Sequence, residues 1–312
     1  MSIPHSSLPK SEPDHRFDPS FHVGRHHESA NDRVADFEDA MGEDGAAPLV
    51  QPSADGKRAF VSTPSHNYVV HDYHDAHGHQ NPVPKGWAES TVNDMYAAAE
   101  SPHMVVHGHA FVHPEHGTHH FAKHLDRGIL PIGILNSQKV PEHVAERIRK
   151  ESAKVALVDF LVGNVHRGSS TLGVKMDPAT GHATHLITTD NSHGFNYEDP
   201  ASTNLAYLLN KNWYPMHHTG VYSDLQKEQA IKGAAHWMVE HGPFIRKALV
   251  ANLAGISDDE TKMHILSNFM KRYDIVHQIA HDVKTGVRMS DVLHHKTVDA
   301  PGSVASRYSV EG

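Results

Sequence analysis

The sequence predicts an α+β fold in two parts, a β-rich front and a mainly helical back, preceded by a flexible N-terminal arm. Three observations predict it. Between residues 58 and 125, β-branched and aromatic residues cluster in short runs, such as Ala59 to Val61 and Tyr68 to Val70. From Pro141 onward the apolar residues recur at helical spacing instead. Between these regimes, residues 155–195 read as a helix, a polar loop, a strand, a turn and a second strand that ends on the carboxylate of Asp190.

The elements follow in order. Residues 1–57 are rich in Pro, Ser, Asp, His and Gly, a composition that suits a flexible arm. Within it Val34, Phe37 and Met41 share one face of a short helix, so the arm is expected to dock on a protein partner. Residues 58–135 form the β-rich part, with strands near 58–73 and 104–125. A helix over 85–100 lies between them, its irregular apolar stripe made by Trp87, Val92, Met95 and Tyr96. Residues 136–300 form the helical part. Its strongest helix spans 141–163: Pro141 suits a first turn, Glu142 and Glu146 complement the helix dipole, and Gly163 stops it. Further helices are expected near 204–210, 224–240, 243–254, 258–281 and 290–295, separated by Gly, Pro or Asp-rich breaks. Residues 301–312 read as a frayed tail.

Composition narrows the function classes. A formal net charge of -9 with no basic block argues against nucleic acid as a partner. The absence of cysteine removes disulfides and thiolate zinc sites. No run of about 18 apolar residues spans a membrane, and the N-terminus lacks the apolar core of a signal peptide. A cytoplasmic location, or a place in a virion, is the expectation. Histidine is the outlier, with 32 residues, densest over 71–79 and 103–124. Neutral imidazole is a common ligand for transition metals, so a histidine-rich metal-binding protein is one alternative. A lineage that uses histidine as a general polar residue is the plainer one.

The polar loop carries Asp159, Asn164, His166, Arg167, Gly168 and Thr171, and the strand pair after it leads to Asp190 and Phe195. This order resembles the catalytic core of the atypical protein kinases, the lipid-kinase-like and HipA-like branch, whose loop reads roughly Asp-x-x-x-x-Asn-x-Asp-Arg-His-x-x-Asn. The resemblance implies a two-lobed kinase-like fold and a site for ATP and magnesium. Asp159, Asn164 and Arg167 match that pattern. His166 stands at the catalytic aspartate, Gly168 at the histidine and Thr171 at the metal-binding asparagine. Asp190 matches the downstream magnesium ligand.

The same resemblance places the phosphate-binding lysine at His71 and its glutamate partner at Glu89, with Lys123 on the hinge side or as a substitute in space. It implies His166, Arg167 and Asp190 as catalytic residues, His71, Glu89 and Lys123 as nucleotide contacts, and Asp190 and Thr171 as metal ligands. With so many altered positions, a pseudokinase-like binding or structural protein is the leading expectation. An ATP- and magnesium-dependent phosphotransferase with His166 as base is the alternative. The arm and the helix opening Gly86-Trp87-Ala88-Glu89 also look like uncharacterised proteins of tailed bacteriophages, which implies a virion component. Asp159, Asn164 and Asp190 suit purely structural roles as well, through backbone hydrogen bonds and a turn.

Overall fold

The computed structural model describes residues 49–52, 58–62, 67–71, 83–106, 108–112, 119–124, 128–137, 140–197, 205, 208 and 223–285. Five strands make the first sheet: β1 (Leu49–Pro52), β2 (Arg58–Ser62), β3 (Asn67–His71), β4 (Gly108–Val112) and β5 (His119–His124). All pairs are antiparallel and the spatial order is β1-β2-β3-β5-β4. β5 therefore lies inside the sheet between β3 and β4, although it follows both in sequence. β1 falls within the stretch expected to be a flexible arm. Its four residues pair with β2 through the backbone, which asks little of side-chain pattern. The short helix around Val34, the dense histidines of 72–80, and the helix near 290–295 lie outside the described residues.

Helix α1 (Lys85–Ala98) separates β3 from β4 in the chain and packs on β5. Trp87 anchors it: the indole is fully buried, donates to the Asn252 carbonyl at 2.8 Å, and lies 4.9 Å from the Phe195 ring. The strand expected from Met104 begins later, because Pro102–Met104 form a 3-10 turn before β4.

The second sheet is smaller: β6 (Ile129–Pro131), β7 (Leu172–Met176) and β8 (Ala183–Thr188), antiparallel in that order. Helix α2 (Glu142–Val162) is its backing. The first half of α2 buries one stripe, but nearly every residue from Glu151 to Val162 is buried. A helix covered on all sides is a core element. It touches β8 and two further helices, α3 (Asp224–Asn252) and α4 (Asp259–Lys284). No described helix is long and apolar enough to cross a membrane.

Helix α3 corrects one expectation. Gly242 and Pro243 read as a break, yet the helix runs through both. Pro243 removes one backbone donor, but the helix is held on both sides of it by buried Trp237, Met238, Ile245 and Leu249. Gly242 is where Tyr273 of α4 comes closest: a Cβ there would sit 2.5 Å from the phenolic oxygen. The glycine serves packing, not termination.

Gly163 does terminate. It caps α2 in the left-handed region at φ 65°, the conformation only glycine adopts cheaply. A Cβ would also lie 2.9 Å from Tyr197 and 3.1 Å from the Asn196 carbonyl. Gly163→Ala is expected to cost about 1–2 kcal/mol from backbone conformation alone, and more from the clash. A chemical denaturation midpoint indistinguishable from wild type would contradict this.

Candidate functional site

The site forms where the exit of β8, the loop after α2, helix α1 and strand β5 meet. The loop is built first. Asp159, in the last turn of α2, is fully buried, and Arg167 is 1% exposed beside it. The guanidinium meets the carboxylate with two bonds, Nε to Oδ2 at 3.0 Å and Nη2 to Oδ1 at 2.7 Å. Its other donors go to the Asn191 Oδ1 at 2.7 Å, the Asp190 carbonyl at 2.7 Å and the Thr171 carbonyl at 3.4 Å. Five N–H groups thus meet five acceptors. Burial works against the charge, but Asp159 overrides it and holds Arg167 above its ordinary value. Arg167 ties the loop to the exit of β8.

Asn164 accepts from the His166 backbone N–H at 3.1 Å. The Thr171 hydroxyl accepts from the Gly168 N–H at 2.9 Å and donates to the Gly168 carbonyl at 3.1 Å. That side chain closes the loop on itself.

Glu89 and Lys123 come next. Lys123 Nζ donates to the Thr189 carbonyl at 2.8 Å, stands 3.3 Å from Glu89 Oε2 and lies 3.9 Å from Asp190 Oδ1. Glu89, 1% exposed, also accepts from the Asn191 backbone N–H at 2.7 Å. Glu89 therefore pairs with Lys123, the residue named above as a substitute in space for His71. The reason is topological: β5 returns beside β3, with Lys123 opposite Val69 and Phe121 opposite His71. The glutamate helix precedes the lysine strand in this chain. The His71 side chain lies outside the described residues.

Electrostatics divide the two carboxylates. Burial pushes the Glu89 carboxyl up to about 7, against the pull of Lys123 and the Asn191 N–H. Burial also works to raise Asp190, but the Lys123 ammonium and the N–H and hydroxyl of Ser192 override it and hold it well below the usual carboxylate range. Those Ser192 bonds measure 3.0 and 2.7 Å, and the Asp190 side chain is 31% exposed. It is an ionised carboxylate open to solvent, the state that binds a hard cation.

His166 is exposed on the loop, and its ring lies 4.4 Å from that of His193. Burial, with the charge of His166, lowers His193 to about 4. Near pH 7 the ring is neutral, and it senses both His166 and Asp190. The loop and the carboxylate are thus brought together.

Sequence reasoning missed Asn191 and His193. Asn191 links three segments, α1, the loop and β8: besides its bonds to Glu89 and Arg167, its amide donates to Asn93 Oδ1 at 3.2 Å and Thr188 Oγ1 at 3.1 Å. Its only sequence signal is a turn-former next to Asp190. Phe195, expected at an aromatic position, is buried at φ 64° and bonds through its N–H to the Val162 carbonyl.

No family model matches the sequence, and no curated protein matches it. Among solved structures, the chain is similar to the Helicobacter pylori proinflammatory kinase CtkA. Identity is 8%, the match covers 76% of this chain and 98% of that one, and the TM-score is 0.48. At that score and identity the likeness transfers no residue role.

Proposed function

We propose that the chain is a kinase-like binding protein that takes ATP with magnesium at Lys123, Glu89 and Asp190. The observation that carries this reading is the placement of one buried ammonium between two carboxylates, 3.3 Å from Glu89 and 3.9 Å from Asp190. The second is partly open to solvent and held ionised, which fits a magnesium ligand. Asp190 would hold the cation, which supplies neutralisation of phosphate charge. Lys123 would meet phosphate oxygens, oriented by Glu89. Arg167 and Asn191 fix the distance between these groups.

Binding without efficient transfer is the leading form of this reading, since His166, Gly168 and Thr171 stand at altered loop positions. Phosphoryl transfer is the second form. Lys123 favours it by supplying a cation beside Glu89, where the resemblance had placed His71, and His166 is an exposed imidazole able to act as base.

The test is the melting temperature with ATP, with and without magnesium. Wild type is expected to gain several degrees with both present, and Asp190→Ala to lose that gain while folding normally. An equal gain in Asp190→Ala would sink the assignment. Transfer of the γ-phosphate that disappears in His166→Ala and Asp190→Ala would select the second form over the first.

A further inference from the structure

We propose that His103, Glu151 and His185 form a separate site for a divalent transition-metal ion of zinc's class. The three residues come from different elements: the 3-10 turn before β4, helix α2 and strand β8. Their donor atoms all lie within 4.8 Å of one another. His185 Nδ1 is 3.2 Å from Glu151 Oε1, and His103 Nε2 is 3.5 Å from the same oxygen. Ligands bonded at about 2.0–2.1 Å to a tetrahedral ion are separated by roughly 3.3 Å. Two of the three edges already have that length.

The geometry is prepared by its surroundings. Glu151 is buried, and its other oxygen accepts from the Leu186 N–H at 2.7 Å, which fixes the carboxylate plane and leaves Oε1 for a ligand. The two imidazole rings lie 4.8 Å apart. His103 is the adjustable member, its side chain 44% exposed on a short turn, so rotation can close the third edge. Of the nearby cations, Lys154 lies over the Trp237 ring at 4.8 Å while still feeling the Glu151 charge, and Arg147 donates to the Thr184 carbonyl at 3.3 Å.

Two imidazole nitrogens and one carboxylate oxygen suit zinc, cobalt or nickel, whereas magnesium and calcium prefer oxygen alone. The fourth position faces the exposed side of His103. The ion would staple the turn carrying His103 to β8. That turn already touches β8 through the Thr188 hydroxyl on the Met104 carbonyl, at 3.2 Å, and through the Val106 N–H on the Thr188 carbonyl, at 3.3 Å. The site shares no residue with Lys123, Glu89 and Asp190, and the inference does not rest on the ATP reading.

The experiment must separate this site from the many other histidines. Chelator-stripped full-length protein is titrated with cobalt, read by the visible bands of four-coordinate Co²⁺, and its melting temperature is measured with zinc. The comparison is wild type against His103→Ala/His185→Ala, with His264→Ala/His281→Ala as a control on exposed histidines. Wild type and control are expected to show one cobalt equivalent with four-coordinate bands and a zinc-dependent rise of about 3 °C or more. The His103/His185 variant should lose both while melting like stripped wild type. The same bands and the same zinc response in that variant would overturn the proposal, as would a magnesium-dependent rise in wild type that is equally lost in that variant.

Discussion

Arg167→Ala is expected to lower the stability of the fold by about 3–5 kcal/mol, read from urea denaturation. The substitution leaves Asp159 fully buried without its two hydrogen bonds from the Arg167 guanidinium. It also strands the Asp190 carbonyl and the Asn191 side-chain oxygen. A domain of this kind is stable by about 5–15 kcal/mol, so the loss is a large fraction of the whole. Arg167→Lys should rescue little, because an ammonium has three donors and no planar fork to match the carboxylate. The double change Arg167→Met/Asp159→Leu is the control. Removing both charges removes the desolvation problem, so the double variant should be more stable than Arg167→Ala. A double variant destabilised by the sum of Arg167→Met and Asp159→Leu, each measured singly, would show that the pair acts independently and that it does not hold the loop.

What was legible in the sequence was local. The end of α2 at Gly163, the strands β7 and β8 with their turn, and the carboxylate beyond them follow from short-range signals: a left-handed glycine, β-branched residues and a Pro/Gly turn. The pairing of Lys123 with Glu89 was legible only as one of two placements, because strand pairing is non-local. Nothing near it in sequence says that β5 inserts beside β3, and the expected chain order pointed to His71. Asn191 was invisible for a related reason, since its partners come from α1, the loop and β8. The continuity of α3 through Pro243 is the reverse case, in which packing on both sides outweighs a local break signal. β1 shows how little side-chain pattern a strand needs when its backbone is paired.

Lys123→Met should abolish the magnesium-dependent ATP stabilisation, and its effect on folding should depend on pH. The two consequences separate the site from the scaffold. In wild type the Glu89 carboxyl is raised to about 7 by burial, with Lys123 pulling the other way. A carboxyl raised in the folded state contributes stability that is present at low pH and lost as pH rises through its folded pKa. Below about pH 7, Glu89 is protonated in both proteins, so removing the ammonium leaves no bare buried charge. Above about pH 7 the wild-type carboxyl ionises and pairs with Lys123, and its loss of stability levels off. In the methionine variant that pull is gone, and Glu89 stays protonated to higher pH. The stability deficit of the variant should therefore grow by up to about 1.4 kcal/mol per pH unit above pH 7. Urea midpoints at pH 6, 7, 8 and 9 read this directly. A deficit that is constant across the series would show that Glu89 and Lys123 are not coupled. Retention of the ATP response at pH 6, where the variant folds well, would show that the phosphates are met by some other cation.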